Sequence, residues 1–292
     1  MRGRGFVVLA VLGLMFAAGC GPAPSYRAGP AGAKDADGGP DDAGPSASSA
    51  GPGRGSSSPS ASEGNEASAE QHDPGPSMPA TPEPRPRRLH SPVDCSVVKC
   101  VALTFDDGPG PYTGRLLDEL RAADVRATFF LLGQNVAGHR RLVRRMVREG
   151  HEVGNHSWSH PDLTTLPSGE VRAQVLRTQR AVEEAAGVAP VLFRPPYGAI
   201  DARVARTVGM PMILWSVDSL DWLHRDVRRN IVVGVRRPRS GGIVLFHDIH
   251  RPSVAAVPTI LEGLKRRGFT FVTVSELFEG RRLAPGRRYA ER

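Results

Sequence analysis

From Cys100 onward the sequence alternates short apolar runs with longer amphipathic segments, and this alternation limits the fold more than any other feature. Apolar residues recurring every three or four positions predict helices, whereas short runs rich in Val, Ile and Phe predict buried strands. The predicted strands are CVALTF, ATFFLLG, HEVGN, VLFR, PMILWSVD, GIVLFHD and FTFVTV. Such a pattern predicts an α/β fold with a mostly parallel sheet and helices on its outside. It does not distinguish a closed barrel from an open, doubly wound sheet.

Glycines mark the ends of four predicted helices. Gly150, Gly187, Gly209 and Gly268 each follow the last residue of a helical pattern. Because glycine adopts the left-handed conformation that closes a helix, we expect all four to lie at helix C-termini.

Ionisable residues follow five of the predicted strands, at the point where each apolar run ends. A turn alone would explain two adjacent aspartates after VALTF, since Asp, Gly and Pro favour turns. In a parallel α/β fold, however, the C-terminal ends of the strands are where catalytic groups gather, so five such placements predict a functional site. These residues are Asp106 and Asp107 after VALTF, His156 and His160 after HEVGN, Arg194 after VLF, Asp218 and Asp221 after ILWSV, and His247 after IVLF.

The two histidines of HSWSH lie four residues apart, which on a helical turn places both imidazoles on one side. His156, His160 and one carboxylate would hold a cation and leave a position open for water and substrate, as catalytic zinc sites do. Of Asp106 and Asp107, one then binds the cation and the other accepts a proton from water. Zinc is the expected metal, with Co²⁺, Ni²⁺ and Mn²⁺ as alternatives.

Five motifs carry a resemblance to a known family. TFDDGP, HSWSH, RPPYG, DSLDW and LFHD, in this order, resemble the motifs of the polysaccharide deacetylases, the NodB-homology carbohydrate esterases. The resemblance spans about residues 100–278. It implies a distorted (β/α) barrel with about seven parallel strands and a metal-dependent removal of acetyl groups from N-acetylated sugars.

The resemblance also implies a role for each motif residue. Asp106 resembles the general base and His247 the general acid that protonates the leaving amine. Spacing does not decide whether Asp218 or Asp221 faces His247, and the resemblance favours Asp221. The remaining implied roles are Asp107, His156 and His160 as metal ligands, Arg194 as the tether of the base, the Tyr197 backbone N–H as an oxyanion donor, and Trp222 and Leu245 as the lining of the acetyl pocket.

The N-terminal residues predict export. In residues 1–20, Arg2 and Arg4 precede an apolar stretch too short for a convincing membrane span, and small residues end at Cys20. The ending AAGC resembles a bacterial lipobox, in which the cysteine is lipidated. We therefore expect a protein held at the cell membrane by a lipid on Cys20 and facing the cell wall, with free secretion as the alternative.

Composition divides the rest of the chain. Residues 21–94 are rich in Gly, Pro, Ser and Ala, hold 14 of the 26 prolines, and predict a disordered tether. The catalytic domain is expected at residues 95–280, followed by a basic C-terminal tail at 281–292. Cys95 and Cys100 lie close together in an exported chain, so we expect a disulfide that staples the end of the tether to the first strand.

Charge and composition restrict the partners. The formal net charge of +8 is compatible with nucleic-acid binding, but the signal peptide argues against it. We expect a monomer that acts on an N-acetylated glycan, with the cell's own peptidoglycan favoured by the long tether and chitin oligomers as the alternative. A glycoside hydrolase would also use paired carboxylates, but it does not explain HSWSH. A non-catalytic wall-binding lipoprotein would expose aromatic platforms, yet two of the three tryptophans lie inside motifs.

Overall fold

The computed structural model describes residues 93–292. The chain divides into two units, Met1–Met78 and Pro79–Arg292, and all described residues belong to the second. The predicted signal peptide, Cys20 and nearly all of the predicted tether therefore lie outside the described residues. Within the described part, no helix combines the length and the apolar character needed to cross a membrane.

Strands and helices alternate along the described chain, as the hydrophobic pattern predicts. The strands are β1 (Cys100–Asp106), β2 (Thr128–Leu131), β3 (Glu152–Asn155), β4 (Met212–Ile213), β5 (Val217–Asp218), β6 (Gly242–His247), β7 (Thr270–Phe271) and β8 (Arg288–Tyr289). The helices are α1 (Thr113–Ala122), α2 (Gly133–Val136), α3 (Arg140–Arg148), α4 (Ser168–Ala186), α5 (Ala202–Val208), α6 (Asp221–His224), α7 (Val227–Arg236), α8 (Arg251–Arg266) and α9 (Val274–Leu277). Short 3-10 turns form at Ala137–His139, Leu163–Thr165 and Pro196–Gly198.

The main sheet is parallel and has the order β3-β2-β1-β6-β5, with β7 paired to the start of β1. One residue, Phe193, closes the gap by bridging Asn155 on one side and Met212 on the other. The predicted strand VLFR is thus reduced to a single bridging residue. PMILWSVD, predicted as one strand, breaks into β4 and β5 because its first half pairs towards Phe193 and its second half pairs with β6. The result is a distorted barrel.

The last residues of the chain pack on the side of the barrel where β4 contributes only two residues. Strand β8 pairs in parallel with β4, and Glu291 forms an antiparallel bridge with Gly242. The side chain of Tyr289 packs edge-on against Phe278. Residues 281–292, predicted as a basic tail, therefore fold against the domain, since β4 is too short to fill that side alone.

Alternation along β1 separates two cores. Leu103 and Phe105 face outwards and pack under the surrounding helices. Ala102 belongs to the cluster inside the barrel, and Thr104 and Asp106 follow on the same face, since successive side chains of a strand point to opposite sides. The strand therefore delivers a hydroxyl and a carboxylate to the barrel interior at its C-terminal end.

Local features also match their expected positions. Gly150, Gly187, Gly209 and Gly268 all have positive φ, between 65° and 78°, at or just beyond the ends of helices, which confirms the predicted termini. The sulfur atoms of Cys95 and Cys100 are bonded, and their Cα atoms lie 5.4 Å apart. This disulfide closes a short loop directly before β1.

Candidate active site

The site lies at the C-terminal ends of the strands, where the structure brings together the residues that the motifs single out. Asp106 ends β1 and is paired in register with His247, which ends β6. His156 follows β3, and Arg194 follows the bridging residue Phe193. Residues from four distant parts of the chain thus meet at one mouth of the barrel.

A cluster of Asp107, His156 and His160 forms the centre of the site. Ligand atoms of the three residues lie within 4.8 Å of one another. Asp107 Oδ1 lies 3.6 Å from the Nε2 atom of each histidine. The ligand atoms of a tetrahedral zinc ion lie about 3.4 Å apart, so this spacing fits a cation of that size.

The Asp107 carboxylate supplies an independent indication of a cation site. Its Oδ1 atom is buried and has no hydrogen-bond partner among the described residues. Burying a polar atom without a partner costs free energy, and coordination of a cation by that oxygen would remove the cost. The backbone of Asp107 is also left-handed, with φ 71°. The residues present therefore fit a divalent metal with one carboxylate and two imidazole ligands.

His156 is prepared as a neutral ligand. Its ring is buried, and Nδ1 lies 2.6 Å from the carbonyl oxygen of Arg194, which assigns the N–H to Nδ1 and leaves Nε2 as the free lone pair. Burial lowers the pKa of His156 to about 3, against the opposing charge of Asp107. A carbonyl that orients the ring and a depressed pKa are both what a metal-binding imidazole requires.

The HSWSH segment is not helical, contrary to the prediction from its spacing. Asn155 Oδ1 accepts a hydrogen bond from the Ser157 N–H, and Ser157 Oγ accepts one from the His160 N–H. Ser157 and His160 both have positive φ. The chain therefore turns tightly, and the two imidazoles approach to 5.0 Å between ring centres by this turn rather than by helical periodicity.

Asp106 is paired with a fully buried arginine inside the barrel. Arg194 donates to Asp106 Oδ1 at 2.7 Å and to Thr104 Oγ1 at 2.7 Å. The guanidinium also stacks 4.1 Å from the ring of Phe130. Asp106 Oδ2 remains on the other side, 3.7 Å from His156 Nε2. Burial raises the pKa of Asp106, although the charges of Arg194 and His247 oppose this rise.

His247 faces the cluster from the opposite side. Its Nδ1 lies 2.8 Å from Asp221 Oδ1, and its Nε2 lies 4.0 Å from Asp107 Oδ2. Burial lowers the pKa of His247, but the hydrogen bond and charge of Asp221 outweigh this and raise the pKa to about 9. The charges of Asp106 and Asp107 add to this rise in the metal-free protein, and Nε2 of His247 faces the cluster. Asp218 ends the neighbouring strand β5 and accepts a hydrogen bond from the Leu220 N–H rather than from His247.

The predicted substrate contacts lie around this mouth. Tyr197 has φ 60°, and its largely exposed ring packs edge-on against His160 at 4.5 Å. Trp222, on α6 beside Asp221, is 37% exposed. Leu245 is buried on β6, two residues before His247 and on the same face of the strand.

Sequence reasoning missed several supporting residues. Thr104, which accepts from Arg194, could have been found, because alternation places it on the same face as Asp106. No role was assigned from the sequence to the residues that hold the other catalytic groups, although one of them, Ser219, lies inside DSLDW. These are Asn135, which donates to the Asp107 carbonyl, and Ser219 and Ser253, which donate to Asp221.

Known proteins share this site-bearing domain. A family model described as polysaccharide deacetylase matches residues 94–213. The peptidoglycan-N-acetylglucosamine deacetylase PgdA of Listeria monocytogenes is 45% identical over 198 residues, which cover 66% of this chain and 42% of that protein. A chitooligosaccharide deacetylase of Bradyrhizobium sp. is 39% identical over 203 residues, which cover 63% of this chain and 93% of that protein. The chain thus spans about two fifths of the length of the Listeria relative.

Solved structures show the same architecture. A T48 deacetylase determined with substrate is 47% identical, with a TM-score of 0.67, and the match covers 68% of this chain and 99% of that chain. A family 4 acetyl xylan esterase from Clostridium thermocellum, determined in complex with a cobalt ion, is 34% identical with a TM-score of 0.64. That match covers 66% of this chain and 98% of the esterase.

Proposed function

The chain belongs to the polysaccharide deacetylase family, and we propose that it is a metal-dependent hydrolase that removes acetyl groups from N-acetylated glycans. The observation that carries the proposal is the placement of the Asp107–His156–His160 cluster between a carboxylate, Asp106, and an imidazole, His247. Amide hydrolysis needs a base on the side of the attacking water and an acid on the side of the leaving nitrogen. The two groups stand on adjacent strands, in register.

Each of these residues has a distinct task. A divalent cation held by the cluster would supply a Lewis acid that polarises the acetyl carbonyl and lowers the pKa of water. Asp106 then accepts the proton of the attacking water at Oδ2, because Oδ1 is occupied by Arg194. His247 donates the proton at Nε2 to the departing amine, while Asp221 keeps the N–H on Nδ1. Proton removal and proton delivery are thereby separated across the site.

The surrounding residues would position the acetyl group. We assign Trp222 and Leu245 to the pocket for its methyl group. Trp222 is partly exposed on α6 beside Asp221, and Leu245 is buried on β6, on the same face as His247. The backbone N–H of Tyr197, a residue with left-handed backbone conformation, is the group that we assign as donor to the oxyanion.

Zinc is the metal that we propose for this site. Two imidazoles and one carboxylate, with a position left open, match catalytic zinc sites. The cobalt ion in the esterase structure supports a divalent metal and keeps Co²⁺ as an alternative, since metal availability often decides occupancy.

N-acetylglucosamine in peptidoglycan is the substrate that we propose. The Listeria relative is named for this activity, and the proposed export of the chain would bring it to the cell wall. Chitooligosaccharides are the alternative, because the Bradyrhizobium relative, named for them, is matched over nearly its whole length.

Acetate release tests both parts of this proposal. Purified protein loaded with zinc is incubated with peptidoglycan or with chitooligosaccharides, with and without a chelator. We expect chelator-sensitive acetate release, faster from peptidoglycan, and none from the His156→Ala variant. Faster release from chitooligosaccharides would select the alternative substrate. Binding to cell walls without any acetate release would indicate a non-catalytic wall protein instead.

We also propose that Cys20 carries a lipid and holds a monomeric protein at the outer face of the membrane, since AAGC follows a signal-like segment. Cys20→Ser should move the protein from the membrane fraction to the soluble exported fraction. Full membrane association of that variant would contradict the anchor. The molar mass of the purified protein by light scattering tests the monomer.

A further inference from the structure

Asp248 is a buried carboxylate that the proposed chemistry does not use. It follows His247 at the end of β6 and is completely buried. Strands β1 and β6 are in register to their last residues, Asp106 opposite His247. The two strands therefore end side by side, and Asp248 lies next to the segment that begins with the proposed metal ligand Asp107.

A chain of hydrogen bonds connects Asp248 to that segment. The Gly110 N–H donates to Thr113 Oγ1 at 2.8 Å. The Thr113 hydroxyl in turn donates to Asp248 Oδ2. Because Thr113 is the first residue of α1, the carboxylate fixes both the turn after Asp107 and the start of the following helix.

Packing brings the carboxylate against the same turn. A β-carbon at Gly108 would lie 2.4 Å from Asp248 Oδ1, so a glycine at this position lets the turn after Asp107 approach the Asp248 side chain. On its far side the turn is held by the Leu132 N–H, which donates to the Gly108 carbonyl at 3.0 Å, and by Asn135, which donates to the Asp107 carbonyl. The residues next to Asp107 are thus held between the residue after β6 on one side and the residues after β2 on the other.

These contacts matter because Asp107 has an unfavourable backbone conformation that its neighbours must hold. Its φ of 71° is unfavourable for a non-glycine residue and persists only where neighbours hold it. We propose that Asp248, acting through the Thr113 hydroxyl, is a positioning residue that presents the Asp107 carboxylate to the metal. The inference rests on the proposed metal site but goes beyond the residues assigned to it.

The test removes the Thr113 hydroxyl and measures metal binding directly. Thr113→Val keeps the shape of the side chain but cannot donate to Asp248, whereas Thr113→Ser keeps the hydroxyl. Zinc is titrated calorimetrically into the metal-free full-length protein. We expect Thr113→Val to bind zinc about 10- to 100-fold more weakly, as for other residues that orient metal ligands. Thr113→Ser should bind zinc as the wild type does, and kcat at saturating zinc should recover in part for Thr113→Val.

The chain offers a matched control at the N-terminal ends of β2 and β3. There the Val274 N–H donates to Thr128 Oγ1, which donates to Glu152 Oε2 at 3.1 Å, so the same sequence of groups is repeated away from the metal cluster. Thr128→Val should lower the Tm by an amount similar to Thr113→Val, because each removes one hydrogen-bond donor from a carboxylate that is partly or fully buried. It should leave zinc affinity unchanged.

The outcomes separate positioning from general destabilisation. Wild-type zinc affinity in Thr113→Val, or equal weakening in Thr128→Val, overturns the proposal. If Thr113→Val does not fold, Asp248→Asn replaces it, and the same loss of zinc affinity is expected because one of two oxygens pressed against the loop becomes an NH₂ group. Wild-type affinity in Asp248→Asn would overturn the proposal equally. Since the titration contains no substrate, a wild type that binds zinc but releases no acetate would refute the proposed function alone.

Discussion

Both ends of the barrel hold partly buried carboxylates, but the hydrogen bonding of these carboxylates differs. At the N-terminal ends of the strands, Glu152 accepts hydrogen bonds from the Thr128 hydroxyl and from the N–H and hydroxyl of Ser275. At the C-terminal ends, Asp107 Oδ1 is buried without a hydrogen-bond partner among the described residues. Asp248 Oδ1 at the same end and Glu149 Oε2, just before β3, also lack a hydrogen-bond partner among the described residues, so a missing hydrogen bond does not by itself mark a ligand. At Asp107 it coincides with two imidazole nitrogens 3.6 Å away, and this combination distinguishes the C-terminal end.

Backbone conformation separates the same two ends. All but one of the described non-glycine residues with positive φ lie between the C-terminal side of the sheet and the next helix of seven or more residues, including Leu220 and Arg225 at the two ends of the short helix α6. Asp124, after α1, is the exception. On the opposite side, left-handed conformations at helix ends are taken by glycines such as Gly187 and Gly209. Two of the residues at the mouth, Asp107 and His160, belong to the proposed cation site, and their strained backbone persists only where neighbours hold it, whereas glycine avoids the strain at the opposite helix ends. The residues at the mouth are Asp107, Ser157, His160, Tyr197, Leu220 and Arg225.

The largest effect is expected from Asp106→Asn. Turnover should fall about 100- to 10,000-fold, because nothing accepts the proton of the attacking water. Zinc content should stay near that of the wild type, since Asp106 is not a ligand, whereas Asp107→Asn should lose zinc. Elemental analysis beside acetate-release rates measures both properties. A metal-free Asp106→Asn and a loaded Asp107→Asn would reverse the two roles.

The next largest effect is expected from Arg194→Met, which leaves Asp106 as an unpaired buried charge. Removing one partner of such a pair lowers the free energy of unfolding by about 3–5 kcal/mol. Arg194→Met with Asp106→Asn should regain part of that loss, because no charge is then left buried. Urea unfolding of the two variants and the wild type measures this, and a double variant no more stable than Arg194→Met alone would argue against a charge effect.

A smaller, pH-dependent effect is expected from His156. Its pKa is about 3 in the folded protein and near 6.5 when unfolded, so the unfolded chain binds more protons between these values. Stability of the metal-free protein should therefore fall as pH drops below 6.5, by up to about 1.4 kcal/mol per pH unit from this group. In His156→Gln this contribution disappears. Parallel pH dependences of the two proteins in urea unfolding with chelator would show that the ring titrates normally.

The smallest effect is expected at the start of β1, away from the mouth. Replacing Cys95 and Cys100 together by Ser should lower the free energy of unfolding by about 2 kcal/mol, because the disulfide closes only a short loop. Zinc affinity and turnover should not change. Loss of zinc binding in this variant would show that the two ends of the barrel are coupled, and the contrast between them would need revision.

The ends of β1 and β6 were the most predictable part of the site. In TFDD and LFHD, ionisable residues directly follow an apolar run, and such a pattern can be recognised from neighbouring residues alone. Thr104 could have been assigned to the interior by the same alternation. The structure brings the two histidines of HSWSH together, but not by the expected helical turn, because the segment turns through Asn155 and Ser157 hydrogen bonds that compete with a helix.

The sequence by itself determined the α/β alternation, the helix ends at glycine and the set of ionisable residues at strand ends, because each depends on neighbours along the chain. Only the tertiary structure decided that Phe193 alone closes the barrel, that residues 281–292 pack on the side of β4, and that Asp221 rather than Asp218 contacts His247. It also placed Asp248 against the loop of Asp107. These contacts join residues far apart in sequence, and register between distant strands, set by packing of the whole barrel, is not encoded in any local pattern.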